Sequence, residues 1–129
     1  MSMDIIVTNK TDTPMYQQIK DQIISAILEN KLKEGAQLDS TRGLAKKICV
    51  SVITVTRAYN ELEEEGYIVA QPAKGYYVAD KNNELFKERL IFTITSHFEE
   101  AVILSRRLGL SNNEIMQILK NELGDGMNE

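Results

Sequence analysis

At 129 residues, the chain is long enough for one domain, or for one domain and a short appendage. Its net charge of −4 argues against a protein that coats nucleic acid regardless of sequence, but it permits a specific binder whose cations are clustered locally. The sequence has no apolar run long enough to span a bilayer and no signal peptide at its N-terminus, so we expect a cytoplasmic protein. The single cysteine, Cys49, agrees with this location because no disulfide can form within the chain.

The first predicted elements are an extended segment and a helix. Residues 4–7 are typical of a short strand, or of an arm that lies on the domain. The helix is predicted to begin with Thr13 as the N-cap and Pro14 in the first helical position, where its missing amide costs nothing. It is predicted to end near Asn30. Its buried face consists of apolar side chains at helical spacing: Tyr16, Ile19, Ile23 and Ile27.

Two short helices joined by a tight turn follow. Ser40 and Ser51 are placed to cap them, because a serine hydroxyl can accept a hydrogen bond from an unpaired amide in the first helical turn. Cys49 and Val50 form the turn, and Gly66 is placed to end the second helix in a left-handed conformation. The side chains predicted to point inward are Leu44, Ala45 and Ile48 in the first helix, and Val55, Ala58 and Leu62 in the second.

A β-hairpin completes this part of the chain. Residues 67–71 and 76–79 are rich in β-forming side chains, and the residues between them form the turn. The tip of the hairpin offers a cation, Lys74, and a glycine, Gly75, that lets the backbone approach a phosphate closely. Helices followed by such a hairpin predict a winged helix-turn-helix DNA-binding domain over residues 1–79.

The remaining segment, residues 80–129, is predicted to contain two more helices. The first runs from about residue 83 to residue 108, and Ser111 begins the second with a capping box that Glu114 completes. Two helices of this size cannot enclose a core, so their apolar faces need a partner surface. A second copy of the chain is the first choice, since most oligomers are closed two-fold dimers, and packing back onto the N-terminal domain is the alternative.

The predicted fold is therefore mainly α with a small β-hairpin. An N-terminal winged helix-turn-helix is followed by a two-helix C-terminal dimerisation segment. The side chains that we assign to the dimer interface are Leu90, Ile94, Phe98, Ala101, Val102, Ile115 and Leu119.

The helix that Ser51 caps begins with several hydroxyl groups, which suits contacts with phosphates and bases because free amides and the helix dipole favour anions there. Cations for a local basic patch are available at Arg42, Lys46, Lys47, Arg57 and Lys74. Two alternatives remain open: Arg57 could pair with Glu61 one turn on, and Val52 and Ile53 could pack against the preceding turn. The residues that we predict to contact DNA are Arg42, Ser51, Val52, Ile53, Thr54, Thr56, Arg57, Lys74 and Gly75.

Six segments follow the order and spacing of a known family: residues 14–19, 32–38, 40–42, 51–59, 62–68 and 74–78. At these residues the sequence resembles the GntR family of bacterial transcription regulators. The short C-terminal part looks like the YtrA-type subfamily, whose members are dimers and often control transporter operons. The resemblance implies DNA contacts at Arg42, at Ser51 to Thr56 in the recognition helix, and at the wing around Lys74 and Gly75.

Four positions depart from the family pattern. Asp39 stands where the family usually has proline and Thr41 where it has glutamate, and an exposed Asp39 would repel DNA phosphates. Val52 stands where many members have arginine, and Thr56 where they have a basic residue. Because these cations are missing, Val52 or Ile53 is free to touch a thymine methyl group, and we do not transfer the usual operator of the family.

We expect no enzyme, no metal and no cofactor. The adjacent acids Glu99 and Glu100 point in different directions on a helix, and neither a nucleophile nor a glycine-rich phosphate loop accompanies them. His97 has no histidine or cysteine at a ligand spacing. Cys49 is expected to be a small buried hydrophobe rather than a redox sensor.

The sequence thus predicts a homodimeric, sequence-specific repressor that binds an inverted-repeat operator in double-stranded DNA. Its targets are expected to be a transporter operon that includes its own gene. A small-molecule effector would have room only between the C-terminal helices or at the dimer interface. The alternative is a winged-helix module that binds proteins and not DNA. This alternative is favoured by the acidic balance, by Asp39 and by the missing cations of the recognition helix.

Overall fold

Residues 4–124, which the computed structural model describes, form five helices and one β-hairpin. In chain order the elements are α1 (Met15–Leu28), α2 (Thr41–Ile48), α3 (Val52–Glu64), β1 (Ile68–Gln71), β2 (Gly75–Val78), α4 (Glu84–Arg107) and α5 (Asn112–Leu123). The predicted fold class, mainly α with a small β-hairpin, is confirmed. No helix within the described residues is long and apolar enough to cross a membrane.

Before α1, the chain forms an arm rather than a strand. Two glutamines one turn apart on α1 hold this arm. The Gln22 side-chain amide accepts a hydrogen bond from Ile6 N at 3.0 Å and donates one to Ile6 O at 2.7 Å. Gln18 holds Thr8 in the same way, accepting from its N at 2.9 Å and donating to its O at 2.8 Å. Each amide satisfies both polar groups of one arm residue, as a neighbouring strand would.

The beginning of α1 differs from the prediction. Pro14, and not Thr13, is the N-cap, because its ψ of 149° is extended and its carbonyl accepts the helical hydrogen bond of Gln18 N at 3.1 Å. The Thr13 carbonyl accepts a hydrogen bond from the Gln18 side chain at 2.8 Å, so this carbonyl is satisfied outside the helix. The helix ends at Leu28, and Asn30 follows with a positive φ of 61°.

Both predicted caps of the helix-turn-helix are present. Ser40 Oγ accepts a hydrogen bond from Gly43 N at 2.9 Å, and Ser51 Oγ accepts one from Thr54 N at 3.1 Å. Between the two helices, Cys49 adopts the left-handed conformation with a φ of 59°, which turns the chain from α2 into α3. The predicted inward-facing side chains that are buried are Leu44, Ala45, Val55, Ala58 and Leu62.

The core of the helix-turn-helix also contains a tyrosine that the predicted apolar stripes omit. Tyr59 in α3 is fully buried, and its hydroxyl donates a 2.7 Å hydrogen bond to the Asp39 carbonyl. Its ring meets the ring of Tyr76 edge-on at a centroid distance of 5.0 Å. Burial raises the pKa of Tyr59 above its ordinary value. Ile48, in contrast, was expected to point inward but is only half-buried, because it is the last residue of α2.

The wing consists of β1 and β2, which pair antiparallel and lie within one residue of the predicted strands. The segment between α1 and α2 covers the other edge of β2. Gly35 N donates a 2.9 Å hydrogen bond to Val78 O, and Leu38 N donates one of 2.9 Å to Tyr76 O. The wing is therefore joined by backbone hydrogen bonds to the chain that leads into the helix-turn-helix.

Two compact units make up the chain, one up to Arg89 and the other from Leu90. This division lies ten residues after the predicted boundary at residues 79 and 80, because the first turn of α4 packs on the winged-helix unit. Phe86 is buried there and meets the ring of Tyr67 edge-on at 6.2 Å. Gly66 lies against the same turn with a φ of 90°, and a Cβ at this position would come within 2.8 Å of the Phe86 backbone nitrogen.

The capping box of α5 is formed as predicted. Ser111 Oγ accepts a hydrogen bond from Glu114 N at 3.2 Å, and the Glu114 carboxylate accepts one from Ser111 N at 2.9 Å. Although both helices are well formed, no side chain of α5 is buried, and in α4 the only buried one is Phe86. Among residues 4–124, the apolar side chains of α5 and of α4 beyond its first turn are therefore half-buried or exposed.

Candidate nucleic-acid interface

The first turn of α3 presents apolar side chains to solvent. Val52 is 39% exposed and Ile53 is 81% exposed. The alternative of packing against the preceding turn therefore fails for Ile53. On the same turn, the hydroxyls of Ser51 and Thr54 lie 2.7 Å apart in a hydrogen bond, while Ser51 also caps the helix. This turn offers methyl groups for apolar contacts and hydroxyls whose positions are fixed.

The solvent-facing side of α3 continues for two more turns. A shallow cavity of about 440 Å³ on this side is lined by Ile53, Thr56, Arg57 and Asn60, and also by the acidic Glu61 and Glu64. Asn60 was absent from the predicted site, although its position four residues after Thr56 is the signal that could have found it. An asparagine amide can form two hydrogen bonds with an adenine edge, so Asn60 is a further candidate for base contact.

Three of the candidate cations have no acidic partner within residues 4–124. Arg42, Lys46 and Lys74 are exposed, and no carboxylate of the described chain pairs with them. Lys47 differs, because its Nζ lies 3.5 Å from a carboxylate oxygen of Asp39. This ion pair offsets the charge of Asp39, which is half-buried, and so reduces the repulsion of phosphate that an exposed Asp39 would cause.

The tip of the wing is held from two sides. The Lys74 carbonyl accepts hydrogen bonds from Gln37 Nε2 at 2.7 Å and from the Tyr77 hydroxyl at 3.3 Å. Gly75 follows with a φ of 108°, a conformation that favours glycine. The tip therefore presents Lys74 on a backbone whose position is set by the segment before α2.

Arg57 forms the ion pair that the sequence offered as an alternative to DNA contact. Its Nε donates a 3.2 Å hydrogen bond to Glu61. Its guanidinium carbon also lies 3.7 Å from the centre of the Tyr16 ring, which reaches it from α1. The structure thus shows Arg57 bound on the protein surface, with part of its hydrogen-bonding capacity already used.

Glu61 is shared between Arg57 and a buried lysine. Lys20 Nζ lies 2.9 Å from Glu61 and 2.5 Å from Glu65, so it joins α1 to α3. Burial lowers the pKa of Lys20, but its hydrogen bonds with Glu65 and Glu61 and their charges outweigh that effect and raise it overall. The hydrogen bond from Lys20, followed by that from Arg57, lowers the pKa of Glu61, so the pair stays charged.

The residues considered for other chemistry are on the surface. Cys49 was expected to be buried but is exposed, because it occupies the turn between α2 and α3. His97 is exposed, and its Nδ1 lies 4.0 Å from Glu100. Within residues 4–124, no group of three His, Cys, Asp or Glu side chains is placed to hold a metal ion.

The side chains assigned to the dimer interface lie on the second unit. Ile94 and Phe98 are about half exposed, at 51% and 52%, and Ala101 and Val102 are exposed as well. Leu90, Ile115 and Leu119 are half-buried. Apolar side chains at this exposure need a further surface to cover them.

A sequence profile described as "Bacterial regulatory proteins, gntR family" matches residues 15–78. The solved structure of YtrA from Sulfolobus acidocaldarius, a GntR-family transcription factor, is 32% identical to this chain, with a TM-score of 0.64 and 100% of both chains covered. The chain belongs to the GntR family. Membership makes it a DNA-binding transcription regulator and not an enzyme, as predicted.

Other relatives of this chain differ in their length and in how much of this chain they match. The HTH-type transcriptional repressor YtrA of Bacillus subtilis is 28% identical over 94% of this chain and 93% of its own length. Two longer regulators from that organism are 34% and 31% identical, and this chain spans only 18% and 20% of them. The AraR DNA-binding domain, solved in complex with operator ORR3, is 25% identical with a TM-score of 0.51, over 57% of this chain and 88% of that one.

Proposed function

We propose that this GntR-family regulator is a homodimeric repressor that binds an inverted-repeat operator. The observation that carries the proposal is the contrast between a DNA-binding unit with its own core and a pair of helices whose apolar faces are uncovered. DNA binding follows from the family, and the dimer supplies the two-fold symmetry that an inverted repeat requires.

The exposed apolar side chains of α4 support a second copy of the chain as the partner. Leu90, Ile94, Phe98 and Ala101 recur at helical spacing and form one stripe along α4. In this stripe, Ile94 and Phe98 remain about half exposed among residues 4–124. A two-fold interface would cover the same stripe in both protomers at once, which is the usual arrangement in soluble oligomers.

Each recognition helix, α3, would enter a major groove, with half-sites about one helical turn or a multiple of it apart. Arg42 and Lys74 are exposed and have no ion pair within residues 4–124, which supports contacts from α2 and from the wing to the DNA backbone. The contacts that we propose are those predicted from the sequence: Arg42, Ser51, Val52, Ile53, Thr54, Thr56, Arg57, Lys74 and Gly75.

Repression is supported by the relative named a transcriptional repressor, which aligns over 94% of this chain. We infer that the operator overlaps a promoter, so that the bound dimer excludes RNA polymerase, and that a transporter operon with the regulator's own gene is the target. A chromosomal operator places the protein in the cytoplasm. A small-molecule effector, if the operon is inducible, would act by changing the spacing of the two α3 helices.

Fluorescence anisotropy tests this proposal directly. The labelled duplex is the region upstream of the protein's own gene, the control is a scrambled duplex of equal composition, and both are titrated at two salt concentrations. We expect saturable binding at two protomers per duplex, much tighter than to the scramble, with a moderate negative salt slope. Equal binding to both duplexes that vanishes with salt, followed by a selection from random duplexes that enriches no sequence, would contradict the proposal.

A further inference from the structure

Arg57 is held by two side chains at once. The Tyr16 ring lies 3.7 Å beneath the guanidinium carbon, and Glu61 accepts the Nε hydrogen bond at 3.2 Å. These two contacts fix both the plane of the guanidinium and its direction from the helix. Within the described residues no other acceptor binds Arg57, so its two Nη groups keep their donors.

Glu61 is shared between Arg57 and a second cation. One carboxylate oxygen of Glu61 faces Arg57, and the other lies 2.9 Å from the buried Lys20. Lys20 in turn pairs with Glu65. Two cations and two carboxylates therefore form a balanced network on α1 and α3, and Arg57 is its most exposed member, with 59% of its side chain accessible.

An arginine held in this way reaches less far than a free one. Because its Nε is fixed to Glu61, the side chain cannot extend fully toward the floor of a groove. Its Nη edge matches the geometry of a phosphate, which accepts two parallel hydrogen bonds. The favoured ligand for Arg57 is thus a backbone phosphate and not a base.

We propose that Tyr16 is a positioning residue for operator binding: its ring holds Arg57 so that the Nη groups meet a DNA phosphate. The inference deepens the proposed function and rests on it, since it assigns a task to a residue of α1 that is not among the proposed DNA contacts. The ring lowers the conformational entropy that Arg57 would lose on binding, and a preorganised cation binds more tightly than a mobile one.

A double-mutant cycle tests the proposal on the duplex that the wild-type protein selects from random sequences. The variants are Tyr16→Leu, Arg57→Gln and the combination of both, and Tyr16→Phe is the matched control because it keeps the ring and removes only the hydroxyl. The dissociation constant is measured over a range of salt concentrations, and thermal melting is recorded for each variant. Tyr16→Met replaces Tyr16→Leu if the leucine variant melts below the assay temperature.

We expect Tyr16→Leu to weaken binding about two- to fivefold in the wild-type background, the range for a cation–π contact at an exposed site. In the Arg57→Gln background the same change should have no effect, and Tyr16→Phe should bind like the wild type. Arg57→Gln should reduce the magnitude of the salt slope by about one, as the loss of one phosphate contact predicts.

Three results would overturn the proposal. Tyr16→Leu could weaken binding equally in both backgrounds, Tyr16→Phe could be as weak as Tyr16→Leu, or Arg57→Gln could leave the affinity and salt slope unchanged. In each case the wild-type protein still binds its duplex, so the proposed regulator stands and only the role of Tyr16 falls. If selection enriches no duplex at all, the proposed function falls, and this inference with it.

Discussion

The winged-helix unit buries its apolar side chains within one chain, whereas α5 and nearly all of α4 expose theirs. Leu44, Val55 and Leu62 are fully buried in the first unit, while Ile94, Phe98 and Ile118 are each about half exposed in the second. The two regions have similar helices with good caps, so local sequence does not distinguish them. The difference lies in the number of elements available to cover each face.

The comparison shows that helix formation and burial are separate properties of a sequence. α5 has a complete capping box and no buried residue, whereas α2 is only eight residues long and carries two. Packing of an amphipathic face contributes most of the stability of a helix in a protein. The second unit is therefore expected to depend on a partner chain, and the first is not.

The largest expected effect comes from a charge on the uncovered face of α4. Phe98→Glu should separate the dimer and weaken operator binding about 100-fold or more, because two linked half-site contacts become one. Sedimentation analysis and anisotropy measure the two effects. Phe98→Leu, which keeps the side chain apolar, should preserve both. A Phe98→Glu protein that still binds the full operator as a dimer would contradict the assigned interface.

Truncation of one apolar side chain in each region compares them directly. Leu62→Ala should cost about 2–5 kcal/mol of unfolding free energy, because it leaves a cavity in a closed core. Ile118→Ala should cost less, and its effect should grow with protein concentration, since Ile118 adjoins the assigned interface residue Leu119 on α5 and we propose that the dimer covers this region. Denaturant unfolding at two protein concentrations separates these outcomes. A concentration-independent loss at Ile118 would show that its partner lies in the same chain.

A change on the surface of the winged-helix unit should alter function and leave stability intact. Arg42→Ala is expected to weaken operator binding and to reduce the magnitude of the salt slope by about one, because it removes a proposed contact with the DNA backbone. Its melting temperature should stay close to that of the wild type, since Arg42 is exposed and has no ion pair among the described residues. Lys33→Ala removes an equal charge elsewhere and is the control. A large drop in melting temperature would make Arg42 structural.

The smallest expected effect concerns Ile53, an exposed apolar residue whose proposed partner is DNA and not protein. Replacing one thymine in only one half-site by deoxyuridine removes a single methyl group, worth about 0.8 kcal/mol, so the wild type should bind about fourfold more weakly. Ile53→Ala should bind both duplexes equally. Ile6→Ala, at another highly exposed isoleucine, should discriminate as the wild type does. If the Ile53→Ala protein still binds the thymine duplex more tightly than the deoxyuridine duplex, another residue contacts the methyl group.

Features that depend on neighbours in the chain were predictable. Ser40, Ser51 and the Ser111–Glu114 pair all cap helices as expected, since a cap needs only residues within one turn. The position of Gly66 at the end of α3 follows from the same local logic. The helical spacing of Arg57 and Glu61 likewise contained the ion pair that the structure shows.

Features that depend on distant contacts were not predictable. The N-cap of α1 is Pro14 and not Thr13, whose carbonyl accepts a hydrogen bond from the Gln18 side chain. The spacing of Arg57 and Glu61 gave no sign of Tyr16 and Lys20, which reach them from α1.

The sequence by itself determined the helices, the hairpin and the family, because caps, glycines and apolar periodicity act over a few residues. Only the tertiary structure decided that Phe86 and the first turn of α4 belong with the wing, and that Arg57 is held over Tyr16. An apolar or charged side chain determines the kind of surface that can cover it, but not which part of the protein supplies that surface. That choice is made when the elements pack, since packing brings residues far apart in the chain within a few ångströms of each other.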